Sequence, residues 1–167
     1  MLFRSILPYH RLVTGLNGLS RQEFLSKIGQ SFALHAAPGA VTPARPGEFG
    51  LYLTGQWYRL NIHPSLVPTS DPVARLDATL LANCLLAPLL GITDLRRDKR
   101  IDFLGGIRGP AELEKRVDSG EMAAAFLLFP TRMQDLMAVA DAGQVMPPKS
   151  TWFEPKLADG LVSHVLD

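Results

Sequence analysis

Two short stretches of this sequence hold residue types able to grip an anion. The first is the turn Gly105-Gly106-Ile107-Arg108-Gly109-Pro110. It follows a strand-like run and precedes a helix-like one. Free backbone N–H groups at a helix start, glycines that permit close approach and the forked Arg108 guanidinium together describe an anion site. The spacing matches neither the Walker pattern nor the dinucleotide fingerprint, and a tight strand-to-helix turn with a solvent-facing arginine uses the same residues. The second stretch is Lys149-Ser150-Thr151, with Lys156 beyond, set between Pro147-Pro148 and Trp152-Phe153. Two hydroxyls and an ammonium on a stiff loop can hold phosphate or carboxylate. The hydroxyls can equally bond to the local backbone while the aromatics anchor the segment.

Other polar residues read as structural. Arg75 and Asp77 lie on an otherwise apolar stretch and Asp102 sits beside a strand core, so all three are expected in ion pairs between segments. His10, His35, His63 and His164 lack metal-ligand spacing with one another or with a carboxylate, and no metal is expected. Cys84, the single cysteine, excludes an internal disulfide and reads as a packing residue.

These groups must be positioned by elements that the pattern also predicts. Ser20 and Glu23 form a capping box, and Phe24, Leu25, Ile28 and Phe32 recur at helical spacing behind it. Residues 37–48, rich in Pro and Gly, read as a flexible surface loop. Phe49 to Ile62 reads as a hairpin turning at Thr54-Gly55, with Leu53 opposite Gln56, Leu51 opposite Tyr58 and Phe49 opposite Leu60. Asp71-Pro72 opens a helix that is apolar on nearly every side from Val73 to Leu90, which predicts a central helix. Ile101 to Leu104 is a strand, Pro110 starts a helix that stops at Gly120, and Met122 to Phe129 is a buried strand. Thr131 and Gln134 suggest a second capping box, with Leu136, Met137, Val139 and Ala140 as that helix's inner stripe. Leu161 to Leu166 reads as a last strand. The whole is a mixed α+β layout, with about four helices on a sheet of about five strands that includes one hairpin.

Composition bounds the function. The chain has 167 residues, enough for a single domain, with 17 basic and 16 acidic side chains. This balance gives no global field for nucleic acid or a membrane surface, and the Asp94 to Arg100 charge cluster lacks interleaved aromatics. No apolar run reaches the roughly 18 residues of a spanning helix. A soluble cytoplasmic protein that binds neither nucleic acid nor membrane is expected.

Several segments together resemble one family. They are Phe49-Gly50-Leu51-Tyr52, Trp57-Tyr58-Arg59-Leu60, Ala74-Arg75-Leu76-Asp77, Arg100-Ile101-Asp102-Phe103 with Gly105-Gly106, and the run from Met146 through Lys149-Ser150-Thr151 to Lys156. They resemble the C-terminal part of the bacterial family catalogued as domain of unknown function 1015. Members of that family carry an upstream Asp-Gly-His-His-Arg type motif, reminiscent of the ParB/sulfiredoxin-like superfamily with its nucleotide-dependent free-serine kinases, and tend to be encoded near serine-biosynthesis genes. This chain lacks the motif. The resemblance therefore implies the C-terminal portion of a larger protein whose missing N-terminal domain is its first partner. Met1 to Ser5 do not fit the family register and are expected to be non-native.

Two functions follow as expectations. In one, the domain lends the Gly105 and Lys149 loops to a nucleotide- or phosphate-using enzyme, kinase-like and near serine metabolism, in which a nucleotide is the cofactor and this chain alone is inactive. In the other, it is a non-catalytic metabolite-binding or domain- and dimer-interaction module, homo-oligomeric through an exposed Tyr52–Trp57 pair and the apolar helix from Val73.

Overall fold

A computed structural model describes residues 5–154. Lys156, His164 and the strand expected at 161–166 lie outside the described residues, as do residues 1–4.

The fold is α+β. Six antiparallel strands form the main sheet in the order β3-β5-β4-β7-β2-β6: β2 Tyr9–Val13, β3 Phe32–Ala37, β4 Glu48–Leu53, β5 Gln56–Ile62, β6 Ile101–Gly105 and β7 Ala124–Leu128. A separate antiparallel ribbon pairs β1 Ser5–Leu7 with β8 Trp152–Glu154. The helices are α1 Arg21–Ile28, α2 Asp77–Leu81, α3 Ala87–Leu90, α4 Gly109–Asp118 and α5 Met133–Asp141.

Side-chain alternation splits the core into two layers. Phe49, Leu51 and Leu53 of β4, with Ala124, Phe126 and Leu128 of β7, face α1 and the α2–α3 segment. The residues between them, Tyr52, Ala125 and Leu127, face Leu113 and Val117 of α4. A period of two along each strand produces this division without further instruction. β7 is central and all five of its residues are buried, as its unbroken apolar run requires. The hairpin has the expected register, with Leu53 opposite Gln56 and Gly55 at φ 75° in the turn.

The structure corrects several expectations. Phe32 is not on α1: the helix ends at Ile28, and Phe32 opens β3, an edge strand the helical spacing concealed. The stretch from Val73 is not a central helix. Asp71 Oδ1 accepts from the N–H of Val73 at 2.9 Å and of Ala74 at 3.0 Å, which makes a turn, and helix begins only at Asp77. Its buried positions Leu81, Leu85 and Leu86 then pack on one face of the sheet. Residues Ala82–Leu86 widen into a π turn, since Pro88 has no N–H to donate and its ring would meet the carbonyl four residues earlier. The second capping box is displaced by one residue. Asp135 accepts from the Arg132 N–H at 3.3 Å, and Met137 and Ala140 face solvent instead of the core. Tyr52 and Trp57 are not exposed. At 5% and 4% exposure they form a ring pair 4.9 Å apart beneath α4, so neither they nor the α2–α3 segment offers the apolar face expected of an interaction module.

Candidate functional site

The strand registers bring the chemistry-bearing segments to one end of the sheet. Tyr9 is opposite Gly105, Arg11 opposite Phe126, and Phe49 opposite Leu128. The start of β2, the start of β4 and the ends of β6 and β7 therefore lie side by side. The Gly105 turn, the residues after Leu128 and the loop before Glu48 all emerge there.

Two amides of the Gly105 turn are committed, the Gly109 N–H to Gly106 O and the Gly106 N–H elsewhere. The Gly106 N–H donates to Pro8 O at 2.8 Å. A Cβ on Gly106 would stand 2.5 Å from Pro8 Cγ, and one on Gly105 would stand 2.9 Å from the Trp152 indole. These glycines serve close packing. Arg108 itself is exposed and makes no ion pair among the described residues.

Lys149 is next to this turn. Its Nζ lies 5.6 Å from the Tyr9 ring centre and 5.9 Å from that of Phe103. Its backbone takes a φ of 57°, rare outside glycine, and its carbonyl accepts from an Arg11 Nη at 2.8 Å. Ser150 is buried and donates to Pro147 O at 2.7 Å, so its hydroxyl is committed to the local backbone. Thr151 is half-buried. Arg11, which sequence reasoning passed over, is 1% exposed and has no carboxylate partner among the described residues. Its guanidinium also donates to Tyr9 O and lies 5.5 Å from the Phe103 ring centre, while Nε is buried without a partner. Burial lowers its pKa to about 10. Its neighbour His10 is lowered to about 4, first by burial and then by the Arg11 charge. A charged residue inside the alternating strand His10-Arg11-Leu12-Val13 was the available signal.

The cavity beside these loops is lined by Arg75, Asp77, Phe129, Thr131, Arg132 and Asp135 and holds about 230 Å³. It shares Arg75 and Asp77 with a shallower lobe of about 460 Å³ reached by Arg45 and Thr69. Neither Arg75 nor Asp77 makes the ion pair to another segment expected of it, among the described residues. Asp77 Oδ1 accepts from the Gly47 N–H at 2.8 Å, and Oδ2 has no partner among the described residues. Burial pushes the Asp77 carboxyl up to about 7; Asp135 adds to this, and the Gly47 N–H and Arg132 oppose it. Arg132 grips Asp135 with both ends of its guanidinium, at 2.8 and 2.7 Å. Arg75 is exposed, with no ion pair among the described residues. Thr131 joins the cavity to the second stretch, its hydroxyl donating to Ser150 O at 2.8 Å. Asp102 on β6 pairs with Arg116 at 2.7 Å and also feels the Lys149 charge. No group of three metal-ligating side chains occurs among the described residues, and no helix there is long and apolar enough to cross a membrane.

Residues 4–79 match a family described as "Protein of unknown function (DUF1015)". That stretch is somewhat less than half of the chain. The DUF1015 match includes the hairpin and Asp77, and it stops short of the Gly105 and Lys149 stretches. No curated protein matches the sequence. Among solved structures, a free serine kinase in complex with AMP is similar in fold, with a TM-score of 0.52, 14% identity, and 90% of this chain covering 54% of that one. A conserved hypothetical protein from Pyrococcus furiosus is similar to the same degree, at a TM-score of 0.52, 13% identity, and 90% and 56% coverage. The chain thus spans about half the length of the structures it matches.

Proposed function

We propose that this chain is the anion-binding part of a nucleotide- or phosphate-using phosphotransferase acting on a small molecule. A phosphorylated ligand would sit at the strand ends, between the Arg75–Asp77 cavity and Lys149. The observation that carries this reading is the gathering of two exposed cations that make no ion pair among the described residues, Arg75 at the cavity and Lys149 near it, at one end of the sheet, although their charges reach Asp135 and Asp102. Phosphoryl transfer depends mainly on positioning and on charge stabilisation, so a domain that supplies cations needs no nucleophile of its own. The fold likeness to a kinase with bound AMP supports the same reading. On this view the remaining catalytic groups come from a further domain, and this chain alone is inactive.

A ligand-stabilisation screen tests it. AMP, ADP, ATP, serine and phosphoserine are added to the chain and to its full-length form, and the melting temperature is followed. A ligand at 100 times its Kd stabilises the folded state by about 2.7 kcal/mol. Stabilisation by a phosphorylated compound, lost in Arg75→Ala and Lys149→Ala, is the expected result. No shift with any compound overturns the proposal.

A further inference from the structure

We infer that the Arg75–Asp77 cavity binds a tetrahedral dianion, such as a phosphate monoester, together with one proton, which Asp77 holds on its unpartnered oxygen and donates to the anion. The inference rests on the anion-binding reading above and adds a chemical condition to it.

The geometry leads there in three steps. First, the carboxylate has one committed oxygen and one open one. Oδ1 is fixed by the Gly47 N–H, Oδ2 has no hydrogen-bond partner among the described residues, and the residue lines the cavity with Arg75. Second, the charges around it are few and can be named. Arg75 comes from the same turn, Arg45 from the loop before β4, and Arg132 with Asp135 from the start of α5. Arg132, whose charge acts on Asp77, is engaged at both ends by Asp135, while Arg75 lines the cavity with no ion pair among the described residues, its charge also reaching Asp135. Third, an ionised Asp77 would oppose a dianion in the same small cavity, whereas the protonated form offers an O–H donor to it. Its titration near pH 7 makes both forms accessible under ordinary conditions. The balance is simple: the proton comes from solvent onto Oδ2, and no covalent bond to the ligand forms or breaks.

Sulfate is the probe, because its own charge does not change between pH 6 and pH 8. Its binding to the 167-residue chain is measured by titration calorimetry at both values. The expected Kd rises about tenfold from pH 6 to pH 8, matching the fall in protonated carboxyl for a group that titrates near 7. At pH 8, buffers of different ionisation enthalpy should reveal uptake of about one proton per sulfate. Asp77→Asn keeps an acceptor for the Gly47 N–H and places an N–H₂ donor toward the cavity, so it should bind sulfate equally at both pH values. Equal wild-type affinity at the two pH values overturns the proton-coupling inference and leaves the anion-binding reading standing. Retention of the pH dependence in Asp77→Asn also overturns it, by locating the proton elsewhere. Failure to bind sulfate at either pH overturns it as well, and together with a null nucleotide screen it removes both proposals.

Discussion

Beneath α4, every acid that meets the sheet is satisfied. Trp57 Nε1 donates to Glu114 at 2.6 Å, Tyr52 Oη donates to Asp118 at 2.9 Å, and the Gly55 N–H donates to the Tyr52 oxygen at 3.0 Å. At the strand ends the groups are of similar kind but the arrangement is not closed. Among the described residues Asp77 hydrogen-bonds through one oxygen only, and Arg75 and Lys149 make no ion pair, acting on Asp135 and Asp102 only at longer range. A buried polar network that is complete holds the fold together, whereas cations left exposed at a cavity stay solvated and open to an incoming group. The first region is structure, and the second is where the proposed ligand would sit.

Substitutions should separate the two regions. Trp57→Ala removes a large buried side chain and strands Glu114. It should cost about 3–5 kcal/mol in urea denaturation, the largest loss expected here. Gly106→Ala should cost about 1–3 kcal/mol by the same measurement, because the new methyl collides with Pro8. A neutral result there would restore Gly106 as an open anion turn. Asp77→Asn should act in the opposite direction, stabilising by about 1 kcal/mol at pH 8. The sign follows from the raised carboxyl. The native state holds the proton up to about pH 7 and the unfolded chain releases it near 3.8, so wild-type stability falls as pH rises through that window. The advantage of Asn should therefore shrink as pH is lowered toward 4, as melting curves across that range would show. Arg75→Ala should leave stability within about 0.5 kcal/mol, since the side chain is exposed, yet abolish sulfate binding. Loss of stability without loss of binding would assign Arg75 to structure and dissolve the contrast.

Local rules were legible wherever neighbours in sequence decide the outcome. Ser20 and Glu23 do form a capping box, with the Ser20 N–H 2.8 Å from Glu23 Oε2. The Thr54-Gly55 turn sets the hairpin register. β3 was hidden because Phe32 continues the helical spacing of α1, and only pairing with β5 makes it a strand. The cavity was harder still. Arg75 and Asp77 read as members of ion pairs to other segments, but Asp77 takes the Gly47 N–H, thirty residues away, instead. Arg132 and Asp135 drew no reading from sequence, since nothing local shows that they share a cavity with Asp77.

The amino-acid order alone determined the alternation that splits the core, the buried central strand, the turn glycines and the types of charge available. Tertiary structure decided which of those charges are cancelled. Cancellation depends on distances between segments far apart in the chain, and these exist only once the strands have paired and their ends are aligned.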